Sequence, residues 1–305
     1  MNKHWVITGA TVLGLGAIVA AGAGAAAFGS TGSARSFARV AQPVGQAARA
    51  GRVAPSLRDL RGVNFVSGCR FSHRSGDDPI AFPGEPGRSH DHTFIGNNTT
   101  NAFSTLDTLK AGTSSCRRAG DTAAYWVPTL ITASGEPLVP RAATVYYRRR
   151  TLAPVQPFPP GFRLIAGDAK ATAPQGLMVT SWNCGPLTGV RPQATIPTCP
   201  DSGRQGLALH VQFPNCWDGV NLDSPDHHSH TAYAVRGLCP PDRPIALPAL
   251  QVNIRYPSAG GAGLVLASGG QYSGHADFFN AWNQAVLTRL VNRCLNALRH
   301  CQQGS

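Results

Sequence analysis

The sequence has little methionine and few charged side chains. It contains 2 methionines, one of them the first residue, and 14% of its residues are charged. So little methionine argues against a Met-rich copper carrier. The chain also lacks a G-x-S-x-G elbow, an H-E-x-x-H helix and a paired Cys-His nucleophile, which sets aside three common hydrolase mechanisms. No G-x-G-x-x-G loop, internal repeat or heptad pattern is present.

The N-terminal segment has the pattern of an export signal. Lys3 and His4 form a short basic region, and residues 5–27 are uncharged and rich in Ala, Gly, Val, Leu and Ile. Ala25 and Ala27 offer an A-x-A cleavage site. The segment is also long enough to span a bilayer, so an uncleaved membrane anchor is the alternative. In both cases we expect the remainder to be secreted or extracellular, with no further transmembrane segment.

The next segment and the cysteines define the expected domain. Residues 28–60 are rich in Gly, Ser, Ala and Arg, which predicts a disordered tether before a single domain at 61–305. The 8 cysteines include no C-x-x-C pair, which argues against a zinc ribbon. Their even number in an exported chain predicts four disulfides. Many pairings are possible, and we favour the sequence-local set Cys69–Cys116, Cys184–Cys199, Cys216–Cys239 and Cys294–Cys301.

The net charge of +12 favours an anionic partner. A basic exported protein is attracted to anionic wall polymers or lipid head groups, although the charge can also serve solubility alone. No basic-aromatic nucleic-acid motif is present, so no nucleic-acid partner is expected.

The fold is predicted to be mainly β. The 34 glycines and 24 prolines argue against a helical bundle. Five runs have the β-branched, aromatic or alternating pattern of strands. These runs are residues 125–131, 144–148, 162–165, 207–213 and 251–256. A helical pattern over residues 277–299 closes the chain, so we expect an antiparallel sheet or β-sandwich with one C-terminal helix.

Seven of the 10 histidines fall in four short segments, at residues 87–96, 210–219, 226–233 and 274–278. In an extended segment, His90 and His92 lie on one face, where two imidazoles can bind one metal ion. Each histidine alone suits a hydrogen-bonded structural role, and Asp277 suits a helix N-cap. The clustering nevertheless favours one shared pocket lined by histidines, with Asp218 and Asp277 at its edge. His90, His92 and His210 are the candidate ligands of a divalent metal such as zinc, and a metal-free cluster is the alternative.

Several motifs between about Gly62 and Trp282 resemble a family of secreted domains of unknown function, number nineteen ninety-six. The family occurs in filamentous fungi and high-GC bacteria, and in fungi it is sometimes joined to a wall-binding WSC module. The motifs are Asp78-Pro79-Ile80, Ser89-His90-Asp91-His92-Thr93, Tyr125-Trp126-Val127-Pro128, Gly161-Phe162-Arg163-Leu164-Ile165-Ala166-Gly167, Phe213-Pro214-Asn215-Cys216-Trp217-Asp218-Gly219, Ser224-Pro225-Asp226-His227-His228-Ser229-His230 and Gly274-His275-Ala276-Asp277-Phe278-Phe279-Asn280-Ala281-Trp282. Ala276 and Ala281 stand where the family has glycine.

The resemblance implies export and a wall-associated setting, and leaves the function open. The candidate catalytic residues are His90, His92, His210, Asp218, His227, His230, His275 and Asp277. One hypothesis is a hydrolase or lyase of a wall polysaccharide, in which Asp78, Asp218 and Asp277 supply acid/base groups. A second is a non-catalytic module that binds wall glycan or another surface polymer, and a third is a metal-binding protein. Trp126, Trp182 and Trp217 suit sugar stacking if exposed and core packing if buried.

Overall fold

The computed structural model describes residues 54–200 and 206–302. These residues belong to one compact unit. The predicted signal and most of the predicted tether lie outside the described residues. Within the described end of the tether, Leu60 is buried.

The described part of the chain contains sixteen strands, two α-helices and one π-helix. The first nine strands are β1 (Asn64–Cys69), β2 (Phe71–Ser75), β3 (His92–Gly96), β4 (Ala124–Pro128), β5 (Leu130–Ile131), β6 (Ala142–Arg148), β7 (Arg163–Gly167), β8 (Thr180–Asn183) and β9 (Ala208–Gln212). The others are β10 (Cys216–Trp217), β11 (Thr231–Ala232), β12 (Ile245–Ala246), β13 (Ala249–Arg255), β14 (Val265–Leu266), β15 (His275–Phe279) and β16 (His300–Cys301). The helices are α1 (Leu106–Ala111), α2 (Gln284–Leu290) and a π-helix (Val291–Asn296).

The fold is built mainly from two large β-sheets. The six-stranded sheet has the order β16-β1-β6-β13-β9-β8, and the five-stranded sheet has the order β2-β3-β4-β15-β7. All their neighbouring strands are antiparallel except β1 and β16. Two smaller sheets have the orders β11-β10-β12 and β14-β5. The prediction of a mainly β, antiparallel fold is therefore confirmed.

The two large sheets pack face to face around the main core. Tyr125 of the five-stranded sheet stacks on Phe278, with ring centroids 5.4 Å apart. Its hydroxyl lies 2.6 Å from the hydroxyl of Tyr147, which belongs to the six-stranded sheet. Alternation along β6 and β13 turns every second side chain into this core, as the sequence pattern predicts.

The five-stranded sheet is also covered on its other face, which we call the outer face. A smaller apolar cluster there contains Phe94, Trp126 and Phe279, with Ile80 and Leu109 packed over them. For this reason β3, β4 and β15 are buried at every position rather than at alternate ones. The outer face positions the candidate site.

Four disulfides join the predicted cysteine pairs. They are Cys69–Cys116, Cys184–Cys199, Cys216–Cys239 and Cys294–Cys301. No free cysteine is present among the described residues. The predicted disulfide framework and its sequence-local connectivity are confirmed.

The C-terminal helix is shorter than predicted. Residues 275–279 form β15, and α2 begins after Asn283, whose side chain accepts a hydrogen bond from the Val286 N–H. The prediction that Asp277 is the N-cap of this helix is wrong. The apolar residues of β15 fall at positions that also fit a helical repeat, so in the sequence the strand looks like the first turn of the helix. No helix in the described ranges is long and apolar enough to cross a bilayer.

Two of the three tryptophans considered for sugar stacking lie in the protein interior. Trp126 and Trp182 are 0% and 1% exposed, so core packing is their role. Trp217 is partly exposed, and its indole N–H donates to the Asn221 carbonyl.

Candidate metal centre

Two neighbouring rows of side chains on the outer face hold most residues of the site. Asp277 on β15 pairs with Trp126 on β4, and Trp126 pairs with Phe94 on β3. His275 and His92 each lie two residues earlier on strands that run in the same direction. Because every second side chain of a strand shares a face, His92, His275 and Asp277 lie together on the outer face.

His90 completes a cluster of three imidazoles. It precedes β3, and its ring centroid lies 4.2 Å from that of His92 and 5.0 Å from that of His275. The centroids of His92 and His275 are 5.7 Å apart. One ring nitrogen from each of the three lies within 4.8 Å of the other two. We call His90, His92 and His275 the histidine cluster.

Backbone carbonyls fix the tautomers of two of these rings. Nδ1 of His92 lies 3.0 Å from the Asp77 carbonyl oxygen, and Nδ1 of His275 lies 2.8 Å from that of Ser273. A carbonyl oxygen only accepts, so Nδ1 donates in both cases. Nε2 of each neutral ring then carries a free lone pair, and such a carbonyl contact is typical of metal-binding histidines.

Several buried polar atoms at the site have no partner among the described residues. They are Nε2 of His90, Nε2 of His92 and both carboxylate oxygens of Asp277. Oδ2 of Asp277 lies 4.0 Å from Nε2 of His275. Unsatisfied polar atoms in a protein interior are costly, and several in one place indicate an unseen partner such as an ion or water.

Burial keeps the three rings neutral at pH 7. It lowers the pKa of His90 to about 4 and that of His275 to about 4. The pKa of His92 is held well below its ordinary value by burial and by its two histidine neighbours. Burial, followed by the Asp78 charge, raises the pKa of Asp277. Neutral imidazole is the form that binds metal ions.

Asp78 lies near Asp277, and His227 and Asp223 lie beyond it. The buried Asp78 carboxylate accepts hydrogen bonds from the Ile80 and Ala81 N–H groups and interacts electrostatically with Asp277 and His227. Nδ1 of His227 lies 2.9 Å from Oδ1 of Asp223, and this hydrogen bond raises the His227 pKa.

His227 also has a φ of 59°. A non-glycine residue with this conformation is uncommon, and such strain is often found at functional sites. Because His227 also interacts electrostatically with Asp78, it is a candidate proton-transfer group near the site.

Gly167 allows the close approach of β7 to His275. The two residues pair across β7 and β15, and Gly167 has a φ of +86°. A Cβ at this position would lie 2.4 Å from the Gly274 carbonyl oxygen and 3.2 Å from Cβ of His275. A side chain here would displace the histidine, so glycine is required for the position of the imidazole.

The structure places three of the predicted site residues away from the cluster. His210 lies on β9 of the six-stranded sheet, next to Asn253. His230 uses both ring nitrogens, with Ser224 Oγ and the Arg163 carbonyl oxygen. Asp218 accepts hydrogen bonds from the Val220 and Asn221 N–H groups of its own turn. The sequence predicted His90, His92 and His210 as the metal ligands. The structure instead brings His275 together with His90 and His92.

Sequence reasoning missed the carbonyl partners of the rings and the Asp223–His227 pair. The carbonyls of Asp77 and Ser273 have no sequence signal, because any residue supplies one. Asp223 precedes His227 by four residues, but the hydrogen bond depends on a loop conformation with no regular period.

A family model described as "Domain of unknown function (DUF1996)" matches residues 78–282 of the chain. This span contains all the residues of the histidine cluster and Asp277. No curated protein and no solved structure matches the chain.

Proposed function

Because the chain belongs to the DUF1996 family, a family of unknown function, we propose a function from the geometry of its own residues. His90, His92 and His275 bind one divalent metal ion, and the centre serves a hydrolase or lyase that acts on an extracellular polysaccharide. The observation that carries this proposal is the convergence of three ring nitrogens within 4.8 Å of one another.

The donor set suits zinc or a similar ion. Three nitrogens that bind one zinc ion at about 2.0–2.1 Å lie about 3.4–3.6 Å apart in tetrahedral or trigonal geometry. A movement of about 0.7 Å by each nitrogen towards the common centre brings the three rings to this spacing. Three protein ligands with a free fourth position are typical of catalytic rather than structural zinc sites.

Metal binding would also satisfy the unpartnered atoms. It gives Nε2 of His90 and His92 a partner, and it places a positive charge close to the buried Asp277 carboxylate. When bound, such an ion polarises an oxygen of the substrate or activates a water molecule. Asp277 would orient that oxygen or water, and His227, hydrogen-bonded to Asp223, would be the candidate group for proton transfer.

The substrate class is proposed from the setting of the domain. Four disulfides suit an oxidising compartment, and the +12 charge suits an acidic polymer. A purely glycan-binding module built on tryptophan platforms is less well supported, because Trp126 and Trp182 are buried. Glycan binding also does not require a histidine cluster.

Elemental analysis of protein purified without chelator tests the metal centre. We expect about one equivalent of metal in the wild type and a loss of most of it in His92→Ala and His275→Ala. His300→Ala is the matched control, since His300 is exposed and pairs with Asn64 on the six-stranded sheet. Equal metal content in all four proteins would overturn the proposal.

Activity is tested separately on a panel of wall polysaccharides. A hydrolase produces new saturated ends, whereas a lyase acting on uronic acids produces unsaturated ends that absorb in the ultraviolet. Product formation should stop on chelation and return when the metal is restored. Stoichiometric metal without cleavage of any polymer would favour the plain metal-binding hypothesis.

A further inference from the structure

A second candidate site lies where several strands of the six-stranded sheet begin or end. It is a cleft of about 960 Å³, within the range of about 300–1,000 Å³ that is usual for ligand sites. Asn64 of β1, Arg148 of β6 and Gln212 of β9 line it, whereas the histidine cluster lies on the other sheet. We call it the arginine cleft.

The lining is strongly positive. It contains Arg58, Arg61, Arg148, Arg149 and Arg150 and no acidic residue. Aspartate or glutamate normally accompanies arginines that serve only the fold, and here Asp59 is the acid nearest in sequence. Its carboxylate binds the Ser56 N–H and hydroxyl, at 2.8 and 2.7 Å. Asp59 also interacts electrostatically with Arg58, but none of the five arginines forms a salt bridge among the described residues, so the cleft carries net positive charge.

Two of the five arginines are held by the protein. Arg149 donates to the carbonyl oxygens of Thr151 and Leu152. Arg148 donates to Gln251, and its guanidinium lies 4.3 Å from the centre of the Tyr146 ring. Burial and then the Arg150 charge lower the pKa of Arg148 to about 10. Such fixed, closely spaced cations are stabilised when an anion binds between them.

The other three arginines are available to a ligand. Arg58, Arg61 and Arg150 are exposed and form no salt bridge in the described part of the chain. A guanidinium binds carboxylate or phosphate with two parallel hydrogen bonds, which a lysine cannot do. The geometry thus suits an anion with planar or branched oxygens.

Part of the remaining lining is polar and suits hydroxyl groups. The Gln212 amide can both donate and accept, and Nδ2 of Asn215 is a buried donor without a hydrogen-bond partner among the described residues. The only aromatic residue of the lining, Tyr233, donates its hydroxyl to the Gln212 carbonyl. Single-stranded nucleic acids need several stacking platforms, which this lining does not provide.

We propose that the arginine cleft binds an acidic polysaccharide, with arginines on its carboxylate or phosphate groups and amides on its hydroxyls. The polymer would then contact the six-stranded sheet, whereas the histidine cluster lies on the five-stranded sheet. This inference rests on its own residues and does not depend on the proposed metal-dependent activity.

Titration calorimetry of the full chain with four defined polymers tests the proposal. Polygalacturonate carries carboxylates, phosphomannan carries phosphates, dextran is neutral, and polyuridylate is a nucleic acid. We expect binding of the first or second polymer in about 0.15 M salt and none of dextran. The stronger of the two identifies the acid group.

Variants separate the cleft from the overall charge. Arg58→Gln/Arg61→Gln/Arg150→Gln should weaken binding about tenfold or more, equivalent to about 1.4 kcal/mol. Arg70→Gln/Arg141→Gln/Arg191→Gln removes the same charge from exposed positions outside the cleft and should change binding less than about twofold. Arg150→Glu alone provides the test if the first triple variant does not fold.

Equal losses in the two triple variants would overturn the proposal, because overall charge would then explain the binding. Equal binding of dextran, or tighter binding of polyuridylate, would overturn the ligand class. Arg58→Gln/Arg61→Gln/Arg150→Gln should keep the metal content of the wild type. Failure of the metal centre and failure of the cleft are therefore distinguishable.

Discussion

Nε2 of His275 lies 4.0 Å from Oδ2 of Asp277, two residues further along β15, and Asp277 is fully buried. The two side chains share the outer face because alternate residues of a strand point the same way. A buried carboxyl group without a partner destabilises a protein unless a cation or donor compensates it. Replacement of the Asp277 carboxyl group should therefore weaken metal binding but not destabilise the metal-free protein.

Asp277→Asn should weaken metal binding about 10–100-fold, which is typical for the loss of a group that supports metal ligands. In metal-free protein the same change should leave stability unchanged or increase it, since it removes a buried carboxyl. Competition with a chelator of known affinity measures the first effect, and chemical denaturation the second. Unchanged metal affinity would show that Asp277 does not support the centre.

Gly167→Ala should displace His275 and reduce metal content. The new Cβ meets the Gly274 carbonyl oxygen, and a non-glycine residue at a φ of +86° adds strain of about 1–3 kcal/mol. Gly135→Ala is the matched control, because Gly135 has a φ of +85° and the Cβ of an alanine there would have no atom within 4 Å. Thermal melts should show the φ strain in both variants and a further loss of stability in Gly167→Ala from the clash, and elemental analysis should show loss of metal in Gly167→Ala alone.

The disulfides should differ in their contribution to stability. Cys69–Cys116 spans 47 residues and Cys294–Cys301 spans 7. In the loop-entropy description, removal of the first should cost about 1.7 kcal/mol more than removal of the second. Denaturation of the two double Cys→Ala variants measures this difference. The reverse order would mean that packing, rather than loop closure, dominates.

Asp121 should make stability decrease with rising pH. Burial raises its pKa from 3.8 to about 7 in the folded protein. The unfolded chain then loses this proton at lower pH than the folded one, so the contribution to stability is full below about pH 4 and is lost as pH rises towards 7.

Relative to Asp121→Asn, the wild type should lose up to about 1.4 kcal/mol per pH unit between pH 5 and 7. Asp107→Asn, at an exposed position, is the control and should follow the wild type. The comparison with Asp121→Asn cancels the histidines, whose lowered pKa values act in the opposite direction. Parallel curves for the wild type and Asp121→Asn would contradict the prediction.

The elements that the sequence predicts well are those whose pattern has a local cause. Alternation in β6 and β13 follows from one buried face, and the pairing of Cys294 with Cys301 follows from their proximity along the chain. The predicted start of the last helix is wrong because β15 is buried on both faces and its continuous apolar run has no period of two. The local sequence pattern of a strand does not show that its second face is also covered by other residues.

The sequence predicts that histidines form the site, but it does not predict how they are arranged in space. His90 and His92 share a strand-like segment, so their proximity follows from local geometry. The choice between His210 and His275 depends on which of the two sheets each strand joins. That choice is made by long-range pairing of β15 with β4, which leaves no signal near either histidine.

The most direct test of the histidine cluster is a crystal structure of protein purified without chelator, with anomalous diffraction measured on both sides of the zinc absorption edge. We predict one anomalous peak about 2.0–2.1 Å from Nε2 of His90, His92 and His275. Elemental analysis of the same crystals would direct the measurement to another edge if they hold a different metal. A fully ordered site without a peak, or a peak bound by other residues, would contradict the account.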